Sequence, residues 1–291
     1  MPNPATSQSL DREAMRLAKP SVGGVAWPSI GFGLAVALAY TACIAAAATD
    51  QLGMTPAFLL CGVLVYASYT ILHEAVHSNI SGFGMPTRWF NEALGYGAGF
   101  IMAIPLTIHR ATHLAHHRKT NDPDNDPDMV MAISGRPGLS SLFVASLRSI
   151  TKQYTFYWQV AWPNTTGPER LRAGTEIFVI VAGRVGLAAA GFPLEALVLT
   201  VAANLLGNLI IVTFFAIAVH YPNTGHGRYL DTSTVLFPRG LNAPITWLWL
   251  WQNYHSVHHL FPRVPFYRYA TVFDRIRDIM VKQGAPIREI G

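Results

Sequence analysis

Histidine is the residue type best placed to do chemistry in this chain, because eight of the 11 histidines fall into three short clusters. The clusters read His73-x-x-x-His77, His113-x-x-His116-His117 and His255-x-x-His258-His259. Residues three and four positions apart share one face of an α-helix, so each cluster points at least two imidazoles the same way. Imidazole is the commonest metal-binding side chain, and its neutral nitrogen suits iron, zinc, copper or nickel. The spacing therefore predicts metal binding.

The number of histidines indicates more than one metal ion. His220 follows the last long apolar run and brings the candidate ligands to nine. A tetrahedral zinc site takes four ligands, whereas nine suit two ions with about four to five nitrogens each and open positions for oxygen or water. Two histidines are left outside this set. A supporting or surface role is expected for His109, which shares a helical face with His113, and for His226 in a glycine-rich loop.

The elements that must position these histidines are membrane helices. Hydrophobic residues make up 51% of the chain and charged residues only 13%, whereas charged residues are about a quarter of a soluble domain. Apolar runs at about 28–48, 55–72, 176–192 and 197–219 are each close to the length of a membrane-spanning helix. We predict an all-α integral membrane fold with four transmembrane helices in two hairpins, interfacial helices and a cytoplasmic di-metal cap.

Basic residues set the predicted orientation. Of 21 lysines and arginines, 20 lie outside the four runs, and the short turns around Asp50 and Pro193 carry none. The positive-inside rule then places both termini and every histidine cluster on the cytoplasmic side of the inner cell membrane. The net charge of +5 is read as a topology signal, and nucleic acid is not expected as a partner. Arg184 lies mid-run, as a functional residue or as one that faces the other helices.

The chain divides into three predicted parts. Residues 1–24 form a cytoplasmic tail without a signal peptide, residues 25–268 the membrane domain, and residues 269–291 a cytoplasmic C-terminal segment. Within the membrane domain, residues 90–108 are apolar but contain glycines and a proline. A true crossing there would separate the second histidine cluster from the first by a bilayer. We therefore predict that this segment is interfacial or re-entrant.

Two further segments have simpler predictions. Residues 138–162 alternate apolar with basic and aromatic residues, which is typical of an amphipathic segment in the lipid headgroup region. Cys43 and Cys61 both lie inside apolar runs, so we expect them to be small packing residues and not a disulfide.

The histidine clusters resemble the boxes of the membrane fatty acid desaturase/hydroxylase superfamily, over roughly residues 72–273. The run NDPDNDPD at residues 121–128 is similar to a motif of the β-carotene hydroxylase branch, and bacterial acyl desaturases have a related one. The run NYHxxHHLFPxxPFY at residues 253–267 is similar to an ending of both branches. His220 matches a further family ligand at the end of the last span. Ala216 stands where some members have an asparagine.

The resemblance implies a non-haem di-iron centre that uses O2 to attack an unactivated C–H bond of a long-chain lipid. Its two Fe ions would be held by His73, His77, His113, His116, His117, His220, His255, His258 and His259. Desaturation of a fatty acyl chain and hydroxylation of a carotenoid ring remain equally open. An apolar tunnel from the metals between the spans is expected. The chain has no HPGG-type haem motif and no nucleotide-binding glycine fingerprint. A separate ferredoxin-like electron donor is therefore implied, docking on the basic cytoplasmic face.

Metal-bound histidines usually donate their second ring N–H to a carboxylate or carbonyl oxygen. The candidates for this supporting role are Glu74, Asp122, Asp126, Asp128, Asp231 and Asn253. The Asp-Pro run is equally compatible with a plain turn. Glu74 is equally compatible with a solvated side chain.

A membrane metal transporter or metal-sensing protein is the alternative of a different class. Transporters place polar ligands near the middle of their spans. Here the histidines cluster outside the predicted spans, so the sequence favours the enzyme.

Overall fold

The computed structural model describes residues 4–82, 84–131 and 138–290, which are mainly helical. The first half contains α1 Pro4–Ala18, α2 Trp27–Ala48, α3 Met54–Val76, α4 Arg88–Met102, α5 Leu106–Lys119 and α6 Leu139–Phe156. The second half contains α7 Gly167–Ala189, α8 Pro193–His220, α9 Arg239–Leu248, α10 His255–Leu260 and α11 Tyr269–Lys282. The strands β1 Thr234–Leu236 and β2 Ile287–Glu289 pair in parallel, with Thr234 opposite Ile287.

Three described helices, α2, α3 and α8, are long and apolar enough to cross a membrane. They contain the predicted spans at 28–48, 55–72 and 197–219. The predicted third span, residues 176–192, falls mostly in α7, which is not among these three helices. Five charged residues lie in α7, more than an ordinary span tolerates. The fourth crossing therefore stays a prediction.

Both predicted helical hairpins are present. α2 and α3 join through a turn in which Asp50 has a positive φ of 56°. They run antiparallel, since Cys43 Sγ lies 3.6 Å from Cys61 Sγ near the turn, and Ser29 bonds Glu74 at the far end. α7 and α8 join at Gly191, whose φ of +100° is the left-handed region that glycine adopts without steric cost.

The segment 90–108 turns back on itself, as predicted. α4 leads away from the C-terminal end of α3 and stops at Ala103, whose φ of 55° ends the helix. α5 then returns, and the guanidinium of Arg110 reaches both Glu92 on α4 and the Ala75 carbonyl on α3. The histidine cluster on α5 therefore lies at the same end as the cluster on α3. The position of this segment relative to the bilayer stays a prediction.

Close contact between α3 and α8 fixes the relative position of two helices that carry the site. A Cβ atom on Gly207 of α8 would lie 2.8 Å from the Gly62 carbonyl oxygen of α3. Small residues permit this approach of two helix backbones, as in many membrane proteins. The same two helices carry His73 and His220 at their C-terminal ends. Outside this layer α1 packs on α11, where Ser7 and Gln283 exchange two hydrogen bonds of 2.9 Å.

Candidate metal centre

The nine predicted ligands converge into two neighbouring groups. The first group is His73, His77, His113, His117 and His258, and the second contains His116, His220 and His259. Within each group the ring nitrogens lie within 4.8 Å of one another. His255 lies beside the second group, with its ring centroid 5.0 Å from that of His220 and 4.8 Å from that of His259. Each of the two groups could hold a metal ion, and the number of ions stays a prediction.

Helix ends present these side chains. His73 lies in the last turn of α3 and His77 caps it, while the second cluster occupies the C-terminal half of α5. His220 is the last residue of α8, and the short α10 carries the third cluster. Consecutive residues on a helix point about 100° apart, which is why one cluster reaches both groups.

Hydrogen bonds to helix ends hold α3 and α5 in register. The Ala75 carbonyl in the last turn of α3 accepts hydrogen bonds of 3.0 Å from Asn91 Nδ2 and Arg110 Nη2. Such carbonyls have no partner within their own helix. At the other end of the site, the carboxylate of Glu176 accepts a hydrogen bond from the Thr107 backbone N–H in the first turn of α5. A negative charge is favourable there.

The unsatisfied nitrogens of the two groups fit metal ions. Both ring nitrogens of His73, and Nε2 of His77 and His259, are buried without a hydrogen-bond partner among the described residues. His117 Nε2 faces His113 Nε2 at 3.0 Å and His258 Nε2 at 2.9 Å. Buried polar atoms normally have partners, and convergent lone pairs without one are what a bound cation needs. Iron, zinc and copper all suit such donors.

Burial also keeps most of these imidazoles neutral. Desolvation, followed by repulsion from neighbouring histidines, holds the pKa of His113, His117 and His258 well below the ordinary value. A neutral imidazole carries the lone pair that a metal requires. His116 differs, because its ring lies beside carboxylates. Burial opposes its charged form, but Asp128 and Asp126 outweigh that effect and raise the pKa of His116 to about 9.

Three predicted supporting carboxylates do lie beside the second group. Asp126 Oδ1 is 2.9 Å from His116 Nδ1, and Asp128 Oδ2 is 3.6 Å from the same nitrogen. Asp231 Oδ2 is 3.5 Å from His259 Nδ1. Asp126 is itself held by the Asn121 backbone N–H, which donates to its Oδ2 at 2.9 Å. These contacts orient the rings with Nε2 free for a ligand.

The other three predicted supporting residues have different partners. Asp122 accepts from the backbone of Asp124 and Asn125, so it closes the turn that follows the second cluster. Asn253 donates hydrogen bonds to the Val235 carbonyl of β1 and to Thr246 Oγ1 of α9, so its side chain links these two elements. Glu74 is fully buried and accepts from Ser29, Asn79 and the Phe266 backbone, so it is neither solvated nor bonded to an imidazole.

Two supporting residues were missed by the sequence reading. Gln252 Oε1 lies 3.0 Å from His255 Nδ1, and its spacing of three residues is a signal that helical periodicity offers. The Tyr269 hydroxyl lies 3.0 Å from His258 Nδ1, and no local pattern indicates that contact. Of the histidines outside the set, His226 is exposed. His109 is buried, with its ring centroid 5.3 Å from that of His113, but it belongs to neither group.

A cavity of about 260 Å³ adjoins both groups. His113, His116, His220 and His255 form part of its wall. Apolar side chains from α8 and from the turn between α4 and α5 form much of the rest, including Met102, Ile104, Ile211, Val212, Phe215 and Ile217. Ala216 also faces it. The cavity is a mainly apolar space beside both histidine groups, large enough to admit part of a lipid.

Comparison with known proteins agrees with this geometry. One curated relative is an acyl-lipid 8-desaturase from Rebecca salina, 23% identical over 253 residues. The match covers 79% of this chain, which spans 59% of the length of that relative. A family model described as fatty acid desaturase matches residues 52–291, which include all three histidine clusters and His220. With most of its length inside that match, the chain belongs to the fatty acid desaturase family.

Proposed function

We propose that the protein is an O2-dependent di-iron membrane oxidoreductase that acts on an unactivated C–H bond of a long-chain lipid. The observation that carries the proposal is the cavity, whose mainly apolar wall ends at histidines of both groups. A lipid in this cavity would present one of its carbons to the metals. Family membership supports the same reaction class.

The protein's own residues would hold the metals, orient the substrate and exclude water. The nine histidines supply the ligands, and two irons, when bound, supply dioxygen activation and hydrogen abstraction. Asp126 and Asp231 keep the Nδ1 protons of His116 and His259 in place, so that Nε2 faces inward. The walls at Ile211 and Phe215 exclude water and align the substrate. Loss of a second hydrogen gives a double bond, and gain of oxygen gives an alcohol.

Desaturation of an acyl lipid is the first candidate outcome. The name of the relative supports it. The NDPDNDPD run favoured a carotenoid-ring hydroxylase. Its Asp126 and Asp128 also have a structural use, because they lie beside His116 and can orient its ring. That use applies whichever lipid is oxidised. Hydroxylation of a carotenoid ring therefore remains the second outcome for the experiment.

Lipid and pigment profiling by mass spectrometry tests the proposal. A host that produces the chain should accumulate lipids that have lost two hydrogens, or alternatively gained one oxygen, relative to a host without it. The His116→Ala variant should insert normally, lose activity and bind less iron, because the second group loses a ligand with a buried carboxylate partner. His226→Ala at an exposed loop position is the matched control and should keep both iron and activity.

Several outcomes would contradict the proposal. Full iron and full turnover in His116→Ala would remove the second group from the mechanism. Metal-dependent flux into liposomes without lipid oxidation would favour the transporter. That reading is weakened by the position of His73 and His220 at helix ends.

We also propose an external donor and a location. An acidic ferredoxin-like protein would deliver electrons to the basic face that carries both termini. The protein would be a multi-pass protein of the inner cell membrane, with its metal centre on the cytoplasmic side.

A further inference from the structure

The guanidinium of Arg288, on strand β2, lies at the end of α8. Carbonyls in the last turn of a helix have no partner within that helix. Arg288 Nη2 donates to the Ala218 carbonyl, and Arg288 Nη1 donates to the Tyr221 carbonyl at 3.2 Å. His220, the last residue of α8, lies between these two carbonyls in the chain. One side chain therefore bridges the backbone on both sides of a candidate metal ligand.

The winding of α8 just before His220 gives this contact its importance. Residues Val212–Ile217 form a π-helical segment, in which each hydrogen bond spans five residues instead of four. The regular rotation of about 100° per residue is interrupted there, so it no longer fixes the direction of the side chains that follow. Such segments are frequent at functional sites. Contacts from outside α8 therefore decide how the His220 ring is directed.

The two short strands connect this helix end with the third histidine cluster. β2 pairs with β1 in parallel. The backbone N–H of Ser233, just before β1, donates to the Val219 carbonyl at the end of α8 at 2.8 Å. Thr234 Oγ1 in β1 forms a hydrogen bond with Ser256 Oγ in α10. The strands thus contact both α8 and α10, which supply histidines to the second group from distant parts of the chain.

We propose that Arg288 is a positioning residue, which holds the end of α8 so that the His220 ring meets His116 and His259. The ring centroid of His220 lies 5.0 Å from that of His116 and 5.1 Å from that of His259. Arginine suits this role because its planar fork offers donors to two acceptors at once, whereas a lysine ammonium is a single point. Arg288 acts through the backbone and not as a ligand. The assignment rests on the metal centre of the proposed function.

Hydrogen exchange of the full, metal-free chain in lipid nanodiscs tests whether Arg288 holds this helix end. Arg288→Met keeps a long side chain and removes the donors. The Asn223 amide, which donates to the His220 carbonyl at 2.7 Å, should then exchange about tenfold faster through local opening. Arg277→Met removes only an exposed ion pair with the neighbouring Glu289, so this matched control should leave the exchange unchanged. An unchanged Asn223 amide in Arg288→Met would overturn the proposal.

Binding of Co²⁺, followed by its visible absorption, tests whether the held helix end serves the second group. His116→Ala defines the part of the absorption that belongs to this group. Arg288→Met should weaken that component about 10- to 100-fold, as is typical for residues that orient a metal-bound histidine. The component that His116→Ala retains should not change. Arg288→Lys guards against a folding defect, because it keeps one donor and should recover part of the affinity.

The double variant separates positioning from a general loss of stability. If Arg288 acts through the second group, Arg288→Met should cause no further loss of Co²⁺ in a His116→Ala background, because residues that act together are not additive. A further loss there, or an unchanged second component in Arg288→Met alone, would overturn the positioning role. A chain that bound no Co²⁺ would overturn it together with the metal centre. Neither measurement needs turnover, so a chain that binds Co²⁺ as expected and oxidises no lipid would overturn the proposed function alone.

Discussion

The second and third histidine clusters each contribute side chains to both groups, in opposite patterns. In the second cluster, His113 and His117 belong to the first group while His116 belongs to the second. In the third cluster the pattern is inverted, since His258 belongs to the first group and His259 to the second. The outer pair of each cluster lies four residues apart and shares a helical face, and the middle histidine points away from it. The HxxHH spacing thus allows one helix to contribute histidines to both groups.

Residues that support the histidines should differ sharply in effect within one short run. Asp126→Asn removes the charge that holds the His116 ring, and metal affinity should fall about 10- to 100-fold, as is typical for partners of metal-bound histidine. Asp122→Asn, four residues earlier, alters only a turn and should leave affinity unchanged. Metal retention against a chelator, measured by mass spectrometry, checks this. Equal losses in both variants would show that the run acts as a whole.

Spacing and number predict which nine histidines come together, and three of the six predicted supporting residues lie beside them. Helical periodicity fixes which imidazoles share a face, so the clusters could be identified before any fold was known. The partners depend on the path of loops and distant helices. Tyr269 reaches His258 from α11, and Asp122 turns away although its neighbours face the site. The contact of Gln252 with His255 is close in sequence, and helical periodicity could have predicted it.

At the scale of helices, Arg184 has a structural role. Its guanidinium donates to the Phe100 carbonyl at 3.0 Å, the Ile101 carbonyl at 3.4 Å and the Thr200 carbonyl at 3.2 Å. The first two carbonyls belong to the C-terminal turn of α4, which stops within an apolar layer. Helix-end carbonyls need partners where water is scarce. The arginine therefore supports the reversal between α4 and α5, and with it the position of the second histidine cluster.

Replacing Arg184 by Leu should destabilise the protein although it makes α7 more apolar. Loss of the guanidinium removes hydrogen bonds to carbonyls at the end of α4 and in α8, and hydrogen bonds to charged groups contribute about 1.5–3 kcal/mol each. We expect a lower thermal midpoint in lipid nanodiscs with normal membrane insertion. Arg172→Leu, at an exposed position on the same helix, is the control and should keep the midpoint. An unchanged midpoint for both variants would mean that Arg184 is replaceable by solvent.

The close contact of α3 with α8 leads to a second prediction at the scale of helices. Gly207→Ala forces a methyl group against Val65 and the Gly62 carbonyl, and overpacking of this kind costs about 1–3 kcal/mol. Gly186→Ala in α7 meets no atom within 4 Å and should be neutral. Thermal unfolding compares the two. Because α3 and α8 carry His73 and His220, the Gly207 variant should also retain metal less well, and full retention would separate helix spacing from the site.

The contact between histidines from distant parts of the chain constrains the topology of the whole molecule. His220 lies beside His116, so both belong to one side of the membrane. α8 has 28 residues and is about 42 Å long, enough to place Pro193 on the opposite side. In the predicted topology the chain between α5 and Pro193 then crosses once, through α7, which leads directly into α8. The apolar run at residues 176–192 predicts this span, and the charged residues of α7 set it apart from α2, α3 and α8.

Accessibility of single cysteines tests this arrangement of four spans. In a background lacking Cys43 and Cys61, an impermeant maleimide should label Gln51→Cys and Ala190→Cys in intact cells, because both lie at the outer turns. Gln8→Cys in α1 should react only after lysis. All three positions are exposed. If Ala190→Cys also required lysis, α7 would not cross the membrane and the positive-inside orientation of the second hairpin would be wrong.

The short helix α10 has a consequence for biosynthesis. It contributes His258 to the first group and His259 to the second, with His255 beside them, so neither group is complete until α10 has been translated. By that stage the ribosome has already delivered α2, α3 and α8 to the bilayer. In the proposed enzyme, stable loading with metal would therefore follow the insertion of these three helices.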